Sequence, residues 1–227
     1  MSLSQNNGKI TFVSFTDECY ARIQSDILDG RMRWGERVDV TTLAAEYGVS
    51  RSPIVKAIER LAHEGLIEII PNKGSYVRAP TRKDIVEVTE IRFAVEALNV
   101  ELAYEKQKDR LLERLAEQDR TIAVFEERGE EIPEDVFLAY DRDFHWTFAL
   151  AADNSRLLNI IDVNRNQVEL FRIRTYSRDK AKQSITRHRT IVEHLHHDQL
   201  ADAVRVLRQH IYEVGEFAIE TVVIQSQ

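Results

Sequence analysis

The chain has 227 residues, enough for a small module beside a larger domain with its own core, and 38 acidic against 31 basic residues leave a net charge of −7. No apolar stretch approaches the ~18 residues that cross a bilayer, and the first residues do not read as a charged, apolar, small-residue signal, so a cytoplasmic location is expected. The single Cys19 excludes an internal disulfide and reads as a partly buried thiol.

Residues 1–10 are polar and expected to be disordered. Thr16 is placed to cap a first helix, with Asp17 and Glu18 set against the helix dipole, Ile23 and Ile27 on one face, and a stop at Gly30. Residues 43–58 then read as two short helices. Leu43 and Ala44 give apolar contacts, Gly48 takes the left-handed conformation that ends the first helix, and Ser50 caps the second, where Pro53 is harmless in the first turn. This second helix runs to Gly65. Residues 66–70 form an apolar strand, Pro71-Asn72-Lys73-Gly74 is turn chemistry, and residues 75–78 form a second strand. Helix, helix, helix, hairpin is a winged helix-turn-helix.

Charge separates the two halves. Residues 1–80 carry ten Lys and Arg against ten Asp and Glu, so the acidic excess arises beyond them. Arg51, Lys56, Arg60, Lys73 and Arg78 fall on the second helix and the hairpin, and only this end of the molecule is expected to meet phosphate.

The segments Ile27-Leu28-Asp29-Gly30, Gly35-Glu36-Arg37, Leu43-Ala44, Gly48-Val49-Ser50-Arg51-Ser52-Pro53, Leu61, Gly65-Leu66 and Asn72-Lys73-Gly74 resemble the N-terminal domain of GntR-family bacterial transcription regulators over residues 16–79. The resemblance implies a double-stranded DNA operator, met by Ser50, Arg51, Ser52 and Lys56 on the helix and by Lys73 and Gly74 on the wing. A homodimer is expected as well, because one recognition helix reads too few base pairs alone.

Ala79-Pro80-Thr81 marks a boundary between a DNA-binding domain, 1–80, and a second domain, 81–227, that is all α. Thr81 caps a new helix, with Asp84 at its third position as an imperfect capping box. Helical periodicity then predicts segments at about 82–105, 109–128, 134–152, 156–173, 180–197 and 200–222. Breaks fall at Gly129 with Pro133, at Asp153-Asn154-Ser155, around Ser177 and at Asp198. The fold class is mainly α: a winged helix-turn-helix followed by an antiparallel bundle of six or seven helices.

Asp141 and His145 stand four apart, on one helix face. His188 and His210 are equidistant from residue 199, at a helix–helix turn, which brings both to one height roughly 15 Å from the turn in an antiparallel hairpin. Each alone reads as a surface residue. In combination, Asp141-Arg142-Asp143-Phe144-His145, Ala152-Asp153-Asn154, His188-Arg189-Thr190-Ile191 and Arg208-Gln209-His210 resemble the metal-binding FCD effector domain of the FadR subfamily, over residues 82–220. The resemblance implies a divalent ion on Asp141, His145, His188 and His210. Three imidazoles and one carboxylate accept Zn first, with Ni, Mn, Fe or Co as alternatives, and leave positions open to a small carboxylate effector.

The same resemblance implies that Arg92 points into the effector cavity; spacing alone pairs it outward with Glu96 across one turn. Reflecting His145 and Asp141 about Asn154 places Asn164 and Gln167 near the metal as orienting or effector contacts. Arg172 and Arg174 close that helix and are both candidate effector contacts, though cations suit a last helical turn in any case. Phe137, Phe144, Trp146 and Phe148 read as core or dimer surface. The function expected is a dimeric, ligand-responsive repressor and not an enzyme. A regulator whose signal is the metal itself and a metal-dependent hydrolase are the other readings.

Overall fold

The computed structural model describes residues 4–6, 9–11 and 14–225, and the chain divides into two compact units, Met1–Ala79 and Pro80–Gln227. In the first, β1 (Ser4–Asn6) and β2 (Lys9–Thr11) pair antiparallel, with Ser4 opposite Thr11. The expected disorder of residues 1–10 therefore does not hold for these strands, where β-branched Ile10 and Thr11 favour extended backbone. Residues 1–3, 7 and 8 lie outside the described residues.

Helix α1 (Phe15–Leu28) is capped two residues earlier than expected: the Ser14 hydroxyl, not Thr16, accepts from the Asp17 amide at 3.2 Å. Its buried Cys19, Ile23 and Ile27 form one stripe. Helix α2 (Val40–Tyr47) is capped by Asp39, which accepts from the Thr42 amide at 2.8 Å, and ends at Gly48 with φ 66°. That left-handed turn admits glycine without strain. Helix α3 (Arg51–His63) buries Ile54, Ala57, Ile58 and Leu61. Ser50 has the extended backbone of a cap, but its side chain makes no capping hydrogen bond, contrary to expectation.

The wing strands are β4 (Ile67–Ile70) and β5 (Gly74–Val77). They join a further strand, β3 (Arg37–Val38), in the order β3-β5-β4, with Tyr76 opposite both Arg37 and Glu68. Two residues are too few to show an alternating pattern, so periodicity could not announce β3.

In the second unit, the Thr81 hydroxyl accepts from the Asp84 amide at 3.2 Å and Asp84 accepts from the Thr81 amide at 2.8 Å. The capping box is complete. It opens α4 (Arg82–Glu127), in which the two helices expected at 82–105 and 109–128 form one element broken at Gln107, where φ is −146° and ψ 35°. Neighbouring side chains hold the break: Lys106 donates to the Ala152 carbonyl at 2.7 Å and Gln107 to that of Ala151 at 3.1 Å. Then follow α5 (Glu134–Ala151), α6 (Ser155–Arg174), α7 (Arg178–His196) and α8 (Leu200–Gln225), making six helical segments.

The core of this unit joins Val100, Leu111 and Leu115 of α4, Phe144 and Phe148 of α5, Ile191 and Leu195 of α7, and Leu207 and Ile211 of α8. It fixes the heights at which α5, α7 and α8 present their polar residues. Among the described residues, no helix is long and apolar enough to cross a membrane.

Candidate metal centre and nucleic-acid interface

Asp141 and His145 share a face of α5, His188 lies on α7 and His210 on α8. One ligand atom from each of the four lies within 4.8 Å of all the others. Ligands held 2.0–2.2 Å from one ion stand at most about 4.4 Å apart, so the cluster is within a few tenths of an ångström of ion size. His188 Nε2 is 3.3 Å from His210 Nε2 and 3.5 Å from Asp141 Oδ1. The Phe144 ring stacks on the His188 imidazole at 3.8 Å between centroids and 9° between planes, which fixes its orientation.

Ion pairs back the cluster on two sides. Arg172 Nη2 lies 2.6 Å from Asp141 Oδ2 and Nη1 lies 2.8 Å from Glu169, while the same guanidinium donates to the Leu138 carbonyl at 2.9 Å. On the other side, Glu96 Oε1 takes Arg92 Nε at 2.7 Å and Oε2 lies 2.6 Å from His145 Nδ1, the latter an ion-pair contact outside hydrogen-bond angles. His145 Nε2 is buried with no hydrogen-bond partner. An orphaned imidazole nitrogen facing two other imidazoles and a carboxylate is what a metal would satisfy, so these residues fit an ion.

Electrostatics agree with that fit. Burial holds the His188 imidazole well below its ordinary pKa, and burial together with neighbouring His145 brings His210 down to about 3. Both are neutral ligands near pH 7. Burial opposes ionisation of Asp141, yet its carboxyl sits well below the usual carboxylate range, and with His188 and His210 neutral the cation responsible is Arg172. Burial opposes the charge on Glu96 too, but Arg92 and His145 outweigh it and lower its pKa to about 2.

Beside the cluster is a cavity lined by Arg92, Glu96, His145, Trp146, Asn164 and Arg172, among others. Arg92 does pair with Glu96 across one turn, but Glu96 is buried, Arg92 half-buried, and both line the cavity. Gln167 is half-buried and lines neither this cavity nor the second one, which touches Asp141, Arg172 and His210. The residue that meets Asp141 is Arg172, five positions beyond Gln167, because a guanidinium arm spans more than a helical turn. The Arg174 side chain lies outside the described residues. Trp146, read as core, is a cavity wall with the Arg165 guanidinium 5.6 Å above its ring.

On the first unit, Arg51, Ser52, Lys56 and Lys73 are exposed and Gly74 is half-buried. Among the described residues no ion pair holds Arg51 or Lys56. Arg60 differs: it pairs with Asp17 at 3.4 Å and Glu64 at 3.2 Å and lies 3.8 Å over the Tyr20 ring, so it ties α3 to α1 and leaves the cationic set expected to meet DNA. An added Cβ on Gly74, whose φ is 122°, would approach Arg37 Nε to 3.3 Å, so the wing turn folds against that guanidinium.

The model of bacterial regulatory proteins of the gntR family matches residues 15–77, and that of the FCD domain matches residues 87–213. The chain belongs to the GntR family. Its FCD architecture is that of the FadR subfamily. The chain is 31% identical over 77% of its length to the HTH-type transcriptional regulator YdhC of Bacillus subtilis, of which the match also covers 77%. It is 26% identical to the HTH-type transcriptional repressor RspR of Escherichia coli, over 88% of this chain and 86% of that one. A GntR-type transcriptional regulator from Rhodococcus sp. RHA1 shares the fold with a TM-score of 0.73 at 22% identity, covering 92% of this chain and 99% of that one. These relatives are transcription regulators, and this GntR protein is a DNA-binding regulator and not an enzyme.

Sequence reasoning missed one residue of the GntR protein's candidate site and gave another a different part. Glu96 entered only as an outward partner of Arg92, and Arg172 as a possible effector contact, not as the partner of Asp141. Both are buried, Glu96 and Arg172 being 7% and 8% exposed, and a buried charge keeps a partner.

Proposed function

We propose that this GntR regulator is a homodimeric, cytoplasmic repressor whose helical unit holds one divalent ion and releases DNA when a small carboxylate enters beside Arg92. The observation that carries the reading is the convergence of Asp141, His145, His188 and His210 on one ion-sized space with His145 Nε2 unpaired. Zn suits the donor set first, and Ni, Mn, Fe and Co are compatible with it. When bound, the ion supplies a positive centre that attracts an anionic oxygen.

The chain's own residues define the rest of the ligand. Arg92 presents a guanidinium that can take a carboxylate in bidentate fashion. The Asn164 amide nitrogen donates to the Ile160 carbonyl at 2.7 Å, which leaves its oxygen as an acceptor for a ligand hydroxyl. A hydroxy-acid or di-acid meets both demands. Operator affinity falls by the ligand's differential affinity for the two states of the protein, and repression is the sign carried by the E. coli relative.

Metal analysis of purified protein tests the reading. Wild type is expected to carry close to one divalent ion per chain, and His188→Ala and His210→Ala are each expected to lose most of it. Full metal content in both variants would overturn the site. DNA release on metal addition alone, with organic acids absent, would make the ion itself the signal.

A further inference from the structure

The face of α3 turned away from the core carries Arg51, Ser52, Val55, Lys56 and Glu59, all exposed, while Ile54, Ala57, Ile58 and Leu61 fill the opposite side. Val55 is the anomaly. It is 39% exposed, one turn beyond Arg51 and next to Lys56, on a face otherwise made of charged and hydroxyl groups. A β-branched residue gains little from an exposed helix interior, so local folding does not account for it.

We infer that Val55 reads the C5-methyl group of a thymine in each operator half-site. The inference rests on the reading that this face of α3 enters the major groove. Arg51 and Lys56, which no ion pair holds among the described residues, flank Val55, and phosphates on either side of a groove are what such cations meet. Between the phosphates, the major groove presents donors, acceptors and one apolar feature, the thymine methyl. An isopropyl group offers nothing to a donor or acceptor, and desolvating a guanine or cytosine edge against it leaves polar atoms unpaired. Only the methyl gains from contact with it. Glu59, one turn further on, completes the face as an acceptor, so the apolar contact falls to Val55 alone.

The test uses the full chain and an operator selected from a random duplex pool by the purified protein. Each thymine is replaced singly by deoxyuridine, which removes the methyl and nothing else. In wild type, one thymine per half-site is expected to show about a fourfold loss of affinity, the contribution of one buried methyl-sized group. In Val55→Ala, that thymine is expected to become insensitive while the other positions keep their wild-type responses. Absence of any sensitive thymine, or equal sensitivity in wild type and Val55→Ala, overturns the assignment. A parallel Arg51→Ala measurement separates the two levels of failure: weakened binding there with no thymine effect removes Val55 alone, whereas undiminished binding removes the α3 face itself.

Discussion

Glu96 Oε2 lies 2.6 Å from His145 Nδ1, and the other oxygen of the same carboxylate holds Arg92 at 2.7 Å. One buried acid thus joins a candidate metal ligand to a candidate effector contact. By engaging Nδ1, Glu96 fixes the imidazole so that Nε2 is the nitrogen turned to the cluster.

Glu96→Gln is therefore expected to weaken metal binding about 10–100-fold, the range for losing a carboxylate behind a metal-bound histidine. Titration calorimetry on chelated and reloaded protein reads this directly. Unchanged affinity would mean that the carboxylate serves Arg92 alone.

The metal-free protein is expected to be acid-sensitive with a definite sign. Burial holds His188 and His210 below their ordinary values, His210 at about 3, and Glu96 at about 2 follows the same direction despite its burial. Each folded pKa is lower than its unfolded counterpart, so the unfolded chain takes up protons first as pH falls. The associated stability is present above the unfolded value and lost on the way down, beginning at ~6.5 for the histidines. The thermal midpoint of chelated protein should drop between about pH 7 and about pH 5, and His210→Asn should flatten that drop. A pH-independent midpoint would show that the imidazoles take up protons in the fold as readily as in the unfolded chain.

Close packing of α8 on α4 gives a third expectation. A Cβ added at Gly215 would lie 2.6 Å from Thr89 Oγ1 and 2.9 Å from Cγ2, and Oγ1 already donates to the Ile85 carbonyl at 2.7 Å. Rotating Thr89 relieves one contact and tightens the other. Alanine gains ~1 kcal/mol over glycine in a helix interior, but overpacking costs about 1–3 kcal/mol. Gly215→Ala should be destabilising by about 1 kcal/mol, and adding Thr89→Ala should restore stability. Denaturant unfolding of the single and double variants checks it, and a stabilised single variant would refute the close approach.

What the sequence revealed and what it hid divides along contact distance in the chain. The Thr81–Asp84 box and the Gly48 turn are local chemistry, written within four residues. His188 and His210 were legible too, since a short helix–helix turn converts equal spacing into contact, and their Nε2 atoms do stand 3.3 Å apart. The interruption expected between residues 105 and 109 does fall at Gln107, but the carbonyls that hold it come from the end of α5 and could not be read locally. Reflection about Asn154 tracks backbones, whereas the long Arg172 side chain decides what reaches Asp141.

Arg92 carries the last expectation. It lines the cavity beside His145 and Asn164, and its guanidinium is neutralised by Glu96. An entering carboxylate must offer that guanidinium more than Glu96 does, which favours a ligand whose second oxygen group is held elsewhere in the cavity. Arg92→Lys keeps the charge but loses the planar fork that accepts a carboxylate through two parallel hydrogen bonds. Losing one charge-assisted hydrogen bond at about 1.5–3 kcal/mol should raise the effector concentration needed for DNA release by roughly one to two orders of magnitude. Metal content and ligand-free operator binding should persist. The measurement is release of labelled operator across a panel of hydroxy-acids and di-acids, on wild type, Arg92→Lys and metal-stripped protein. An acid that releases DNA equally well from all three would leave neither Arg92 nor the metal in the effector site, and the ion would then be a structural fixture of the helical unit.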